Sequence, residues 1–407
     1  GHLGAIPLAG LAIASAILTT VIGLMIFLAY STTPLVARRR GAGNLREAVQ
    51  AGIDGIWLAL ALGAVVATLM WVLRKPLIAG FRADFEVANQ AEIYLGISTL
   101  GVPAMLIVFA AMGLLRGLQD TLTPLYVATI GFTVNALLNW FFIYGLGWGI
   151  AGSAWGTVIA QWGMVLVYVV VVARHALKHG AGFLPESRGL KESGRSGSWL
   201  FIRTLGLRLA LIFTVAAAAA HGAAATAGYQ IVFILVSITA FGLDALAVAA
   251  QALVGDALGA RDAGRARLVL NRTLFWGVVT GVLVGLVVAL LSPWIGRIFT
   301  SDESVLVLLP PAIVVVGITL PLGAVVYVLD GVLMGAGDSK YLAIVSVLAL
   351  IIYLPVLWIV TQAIPTGAVA LAAIALAFTL FLMLLRAITL WVRVRGDKWL
   401  VLGWAAK

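Results

Sequence analysis

The sequence contains no cysteine, which excludes disulfides, iron–sulfur clusters and thiol chemistry and removes any redox clue to compartment. It is also poor in charge. Asp, Glu, Lys and Arg make up 10% of its 407 residues, against about 25% in an ordinary soluble domain. The four histidines, His2, His175, His179 and His221, fall at loops or segment ends and offer no spaced set of metal ligands. There is no Gly-rich phosphate loop of the Walker type, so nothing supports nucleotide-driven chemistry by this chain. No nucleophile–base pair can be picked out either, so the expectation is a protein without enzymatic activity and without a cofactor.

What fills the chain instead is apolar sequence. Hydrophobic residues account for 63% of it, in recurring stretches of about 20 or more, each long enough to cross a hydrocarbon layer ~30 Å thick. The pattern predicts eleven spans, at 6–37, 45–73, 90–117, 122–145, 150–177, 199–220, 226–255, 266–293, 304–335, 339–362 and 368–394. The implied fold class is an all-α membrane protein, a polytopic helical bundle. Several spans approach about 45 Å of helix at ~1.5 Å per residue and should tilt, bend or extend beyond the bilayer.

The net charge of +10 would suit a nucleic-acid partner if it were clustered, but it is laid out in alternate loops. Only Arg74, Lys75, Arg82 and Arg297 fall on one side, leaving 22 of the 26 Lys and Arg for the other. This is a strong positive-inside bias. It puts the C-terminus in the cytoplasm and residue 1 outside, and makes the lipid bilayer, not nucleic acid, the partner of this surface.

The spans are organised as a repeat in which residue i matches residue i+218. Gly10 falls on Gly228, Gly41 on Gly259, Pro103 on Pro321, Gly117 on Gly335, Asp120 on Asp338, Trp140 on Trp358 and Gly149 on Gly367. Chance similarity among apolar helices would share Leu, Val and Ala, not Gly, Pro, Asp and Trp in one register. Repeats of membrane helices are typical of secondary transporters. The second copy carries an apolar segment near Trp199–Ala220 whose counterpart would precede residue 1. The expectation is therefore two parallel six-helix repeats, the first lacking its first helix in this chain. Restoring that helix returns the natural N-terminus to the cytoplasm. The repeats occupy 1–180 and 199–407. Between them, 181–198 is rich in Gly, Ser and charge and reads as a cytoplasmic linker that lets the halves move.

The loops carry the most specific motifs. After the second helix of each repeat come Val-Ala-Arg-Arg-Arg-Gly-Ala-Gly (36–43) and Val-Gly-Asp-Ala-Leu-Gly-Ala-Arg (254–261). After the fourth come Arg116-Gly117-Leu118-Gln119-Asp120-Thr121 and Met334-Gly335-Ala336-Gly337-Asp338-Ser339. Gly at a helix end accepts positive φ and Asp caps the helix that follows, so Asp120 and Asp338 read as turn and cap residues. These elements, with 138–161 and 243–259, resemble the multidrug and toxic compound extrusion (MATE) family, in the branch named for the DNA-damage-inducible protein F. The resemblance covers essentially the whole chain. The segment 255–261 also loosely resembles the basic loop of the major facilitator superfamily, but the first copy has Arg38 where that loop needs an Asp.

Polar groups inside the spans are candidates for function, because a carboxylate at the bilayer centre costs ~2.5–3.5 kcal/mol on insertion scales. Asp244 lies eleven residues before Gly255, near the midplane, and Asp330 five before Gly335, nearer the cytoplasm. Their first-repeat counterparts are Ile26 and Met112, so both are additions to a common scaffold. A desolvated carboxylate can bind a proton near neutral pH, the chemistry a proton-coupled antiporter needs; a hydrogen-bonded helix contact is the plainer alternative. Asp54 reads as the partner of a nearby Arg. Asn135 and Asn139 share a helix face, with Gln161 on the next helix. The resemblance implies that this cluster surrounds the first-repeat cavity, near an acidic proton acceptor on the first helix, and that Asp120 and Asp338 take part in gating. Relatives often have Asp where this chain has Asn139. Among the 13 tryptophans, Trp71, Trp148, Trp294 and Trp404 fall near span ends as interfacial anchors, whereas Trp57, Trp140 and Trp358 read as core packing.

The resemblance implies export of cationic or amphipathic small molecules in exchange for protons, or sodium, by alternating access, from a monomer in the plasma membrane. A lipid-linked oligosaccharide flippase of the same superfamily is the alternative, disfavoured because few Arg or Lys fall within spans to bind a pyrophosphate. A membrane scaffold without transport is a third reading.

Overall fold

In the computed structural model, which describes residues 4–403, the apolar spans form eleven helices long and apolar enough to cross a membrane. They are α1 (Ala5–Gly41), α2 (Leu45–Ala79), α3 (Phe85–Gly117), α4 (Leu122–Gly145), α5 (Gly149–His179), α6 (Ser187–Ala219), α7 (Ala223–Gly259), α8 (Ala263–Leu290), α9 (Leu309–Gly335), α10 (Ser339–Ala363) and α11 (Ala368–Arg395). No strand occurs among the described residues. The outward faces stay apolar: on α4, Leu122, Leu125, Tyr126, Ile130, Phe132 and Leu137 are all exposed. A soluble protein would not leave such a surface uncovered; lipid covers it at no cost.

The chain divides into two compact units, one up to Gly197 and one from Ser198. In the first, Val36, Val49, Ile107, Leu114, Met164 and Tyr168 belong to the packed core. In the second, Tyr229, Leu309, Ile313, Tyr353 and Leu371 do.

The 218-residue register holds at the level of single contacts. A Cβ on Gly63 would meet Pro103 Cα at 2.6 Å, and one on Gly281 would meet Pro321 Cα at 2.9 Å. One on Gly113 would lie 2.8 Å from the Ala29 carbonyl oxygen, and one on Gly331 2.2 Å from that of Ala247. Every member of these pairs is offset by 218, so the same glycines bring the same helices into backbone contact, as small residues do in membrane bundles. The turns repeat too. Asn44 and Asp262 each accept the N–H three residues on, from Glu47 (3.1 Å) and Arg265 (2.8 Å), as helix caps. Positive φ falls at Gly43 (80°) and Arg261 (60°), and again at Gln119 (65°) and Gly337 (71°). The backbone shape is kept even where the residue is not glycine.

The units differ where helices break. In the first, α1 is interrupted at Ile26 and α3 by a 3₁₀ turn, Thr99–Gly101, just ahead of Pro103. Proline lacks the N–H that would continue the helix, and the Thr99 hydroxyl and Trp162 indole take up carbonyls of Gly96 (2.7 Å) and Leu100 (3.0 Å) there. In the second, α7 and α9 run unbroken, α9 straight through Pro321.

The stretch 181–198 is not a loose tether. Its first residues are fastened to α2, and from Ser187 onward it is helix, so α6 begins twelve residues before the expected apolar start at 199. The polar composition that argued for a linker is accommodated by side-chain bonds. The Gln50 amide donates to Leu184 O (2.9 Å) and accepts from Gly182 N (2.9 Å), and the Trp57 indole donates to Phe183 O (2.9 Å). Asp54 Oδ1 accepts the N–H of Glu186 (2.8 Å) and the Gln50 amide (3.2 Å). Gln50, Asp54 and Trp57 occupy one face of α2. Asp54 is therefore not the ion-pair partner of an arginine, as its loop-proximal position implied. It caps the start of α6 from a neighbouring helix, where a carboxylate favours both the free N–H groups and the helix dipole.

Candidate functional site

In the first unit, α4 and α5 bring an uncharged polar cluster together. The Asn135 amide donates to Thr157 Oγ (3.1 Å), and the Asn139 amide reaches the Asn135 carbonyl oxygen (3.4 Å). The Thr157 hydroxyl donates to Ser153 O (3.0 Å). The side-chain oxygen of Asn139 is buried without a hydrogen-bond partner and lies over Gly156, where a Cβ would meet it at 2.2 Å. Gln161 is not part of this network. It sits one turn further along α5, against Gly101 at the 3₁₀ break. Thr157 is the member sequence reasoning missed; its spacing of four from Gln161 was the available signal.

The second unit is built on charge. The Asp330 carboxylate on α9 is buried and its Oδ2 accepts from two guanidinium groups, Arg203 on α6 at 2.6 Å and Arg386 on α11. Both arginines are themselves buried. Asp330 Oδ1 and Arg386 Nε have no hydrogen-bond partner. An ion shared among three helices in this way is a structural tie, and removing any one member strands the others. Sequence reasoning assigned Arg203 and Arg386 to the cytoplasmic charges. The signal for Arg386 was its apolar setting, with Met383, Leu384 and Leu385 before it and Ala387 and Ile388 after.

One turn away along α9, Tyr327 is half-buried and lies within the field of the charges of Arg386, Asp244, Asp330 and Arg203. Asp244, half-buried on α7, thus belongs to the same neighbourhood. Tyr327 also lines a small, partly open pocket within the second unit. Leu243, Leu320, Phe378 and Met383 give it an apolar wall. Its threonines Thr239, Thr319 and Thr379 donate to carbonyls of their own helices, at Leu235 (3.0 Å), Val315 (2.8 Å) and Ala375 (2.8 Å). With those donors spent, the walls offer hydrocarbon, hydroxyl lone pairs and the tyrosine. Such a lining suits an apolar or amphipathic guest and few strongly hydrated ones.

The turn residues part company between units. Asp120 caps α4, accepting the Thr123 N–H (3.0 Å) and hydroxyl (2.6 Å). Asp338 makes no such cap; its Oδ2 accepts from Arg393 Nε (2.6 Å) on α11, whose guanidinium lies over the Tyr341 ring at 4.7 Å. Trp140 and Trp358, expected in the core, are 64% and 66% exposed at matching positions. Trp57 is likewise exposed and serves the fastening of 181–186. Trp404 and His2 lie outside the described residues. Among the described residues no group of three or more His, Asp or Glu could hold a metal ion.

Comparison with known proteins agrees with this architecture. The chain is 30% identical over 291 residues to Protein DETOXIFICATION 43 of Arabidopsis thaliana, a match covering 70% of this chain and 54% of that protein. Against DNA damage-inducible protein F of Escherichia coli it is 27% identical over 357 residues, 83% of this chain and 74% of that one. The chain spans little more than half the length of the plant relatives it matches. The MATE transporter VcmN of Vibrio cholerae superposes with a TM-score of 0.89 at 22% identity, covering 98% of this chain and 91% of that one. A MOP superfamily transporter from Pyrococcus furiosus gives 0.87 at 20% identity, over 97% and 89%. At these identities the structural likeness establishes the fold. The sequence model of the family described as MatE matches residues 1–141 and 205–359, and with well over half of the chain matched, this multi-pass membrane protein belongs to the MatE family.

Proposed function

We propose that the chain is a secondary active antiporter that exports cationic or amphipathic small molecules in exchange for protons, with sodium as the alternative ion, by alternating access in the plasma membrane. The observation that carries this reading is the second-unit pocket, apolar in its walls and lined in part by Tyr327, which lies within the field of the Asp244 carboxylate. Hydrocarbon and aromatic surface accept an amphipathic guest of loose shape, and a carboxylate near the midplane is the group that can exchange a proton or a cation for it. The uncharged cluster of Asn135, Asn139 and Thr157 supplies hydrogen bonds in the first unit but no titrating group of its own. The names of relatives point the same way, among them Multidrug and toxin extrusion protein 1 of Danio rerio, 27% identical over 354 residues. A flippase for pyrophosphate-linked lipids would need accessible cations, whereas Arg203 and Arg386 are buried against Asp330. Asp330, with both guanidiniums on it, is in this reading a fixed counter-ion, and Asp244 is the exchanging group. In this reading Asp120 holds a turn and Asp338 an ion pair with Arg393, and neither binds substrate. The protein acts as a monomer.

The test is transport in reconstituted vesicles with imposed pH or sodium gradients and a fluorescent dye cation. Expected is efflux driven by one of the two gradients, abolished by Asp244→Asn with the protein still folded. Efflux that ignores both gradients, or is unchanged in Asp244→Asn, overturns the assignment.

A further inference from the structure

The helix that joins the units is firmly held at both ends and weak in the middle. Its N-terminal part is fixed within the first unit, by Asp54, Gln50 and Trp57 as described and by Arg39, whose guanidinium meets Glu192 at 2.6 Å. Arg188 braces the same Glu192 from one turn before, at 3.3 Å. Its C-terminal part is fixed within the second unit. Leu200 is buried, Arg203 holds Asp330, and Thr214 shares a 2.6 Å hydrogen bond with Tyr353.

Between them runs Ser193-Gly194-Arg195-Ser196-Gly197-Ser198. Five of these six residues are Gly or Ser. Glycine is the weakest helix former after proline, and serine competes for its own backbone bonds; Gly/Ser pairs are where helices kink. A Cβ on Gly194 would meet nothing within 4 Å, so no packed side chain supports that turn, and the buried Ser193 hydroxyl has no hydrogen-bond partner. Gly197 is backed by the edge of the Phe27 ring, where a Cβ would fall 2.8 Å from Cε2, and by the Ser31 hydroxyl at 3.8 Å. The division between the compact units falls within this run, between Gly197 and Ser198.

We propose that residues 193–198 of α6 are the hinge of the molecule: the preceding segment 181–192 travels with the first unit as a fixed part of it, and the chain flexes inside the helix instead of in a loop. As a step in transport this rests on the antiport reading above; as a property of the helix it does not.

Two measurements on the full-length protein in nanodiscs test it. Hydrogen exchange should show the amides of 193–198 opening faster than those of 188–192 and 199–210. Gly194→Ala, which has room for its methyl, should slow that opening about fivefold, the factor one glycine's helix penalty represents. Trp57→Phe should loosen 181–186 and leave 193–198 as it was. In vesicles, Gly194→Ala should reduce the maximal rate of gradient-driven efflux per folded transporter, with a melting temperature no lower than that of the unmodified protein, which separates it from simple loss of folded protein. Protection at 193–198 equal to its flanks overturns the hinge whether or not any substrate moves. Slowed opening with an unaltered efflux rate overturns its part in the cycle. Absence of efflux from the unmodified protein, with the exchange pattern intact, would count against the antiport reading and not against the hinge.

Discussion

The two units share their glycines and differ in their polar chemistry. Where the first has Asn135, Asn139 and Thr157, all neutral and linked by amide and hydroxyl bonds, the second has Asp330 between two guanidiniums and Asp244 at a tyrosine. Where Asp120 caps its own helix, Asp338 reaches across to Arg393. The contacts that set helix spacing, Gly63 with Pro103 and Gly113 with Ala29, recur at Gly281 with Pro321 and Gly331 with Ala247. Duplication thus kept what determines how closely helices approach, because a Cβ at those points has nowhere to go. It left free what fills the space between them.

The largest test of that contrast is in the charged unit. Asp330→Asn leaves two buried guanidiniums without their counter-ion and should cost about 3–5 kcal/mol, read as a fall in melting temperature. Asn135→Ala in the neutral unit removes one ordinary hydrogen bond and should cost about 1 kcal/mol. Similar effects from the two would deny that the second unit depends on its ion tie. Next in size are the matched glycines. Gly113→Ala and Gly331→Ala each push a methyl into a facing carbonyl and should each destabilise by about 1–3 kcal/mol, with the two values close to one another; an effect in only one unit would show that the shared packing is not equivalent. Smaller again, Asp120→Ala should cost about 1 kcal/mol as the loss of a cap, while Asp338→Ala, a partly exposed ion pair, should cost well under 1 kcal/mol. The turns give effects of the same order as the Asp120 cap: Gln119→Gly and Arg261→Gly relieve a side chain at positive φ and should raise stability by about 1 kcal/mol, whereas Gly43→Ala and Gly337→Ala should lower it by a similar amount.

Legibility in the sequence followed the same division. Helix count, order and repeat register could be read because hydrophobic length and glycine position leave marks in one dimension. The 218 offset predicted that the two repeats share one register, and the Gly63–Pro103 and Gly281–Pro321 contacts follow it. The capping role of Asp120 was equally local, three residues from its partner. What could not be read was any partnership between distant residues. Asp54 lies near arginines in sequence, yet its partner is the backbone of Glu186, 132 residues on. Asp330 was visible as an intramembrane carboxylate, but its compensation by Arg203 and Arg386 depends on how three helices pack. The segment 181–198 had the composition of a tether, and only the side chains of α2, contributed from elsewhere in the chain, make it part of a folded unit. Tryptophan was misleading for a related reason: in lipid an exposed ring is as comfortable as a buried one, so aromatic character does not report which way Trp140 and Trp358 face.

The fastening of residues 181–192 also bears on the order of assembly. Every group in it, from Arg39 to Glu192, lies ahead of residue 193. It can therefore close while the ribosome is still producing the second unit, whose roughly 210 residues take some ten to forty seconds to make at ~5–20 residues per second. During that interval the first unit can finish packing around the start of α6 before the second unit is complete. The second repeat is then built outward from a fixed point, and its helices need not search for the place where the first repeat ends.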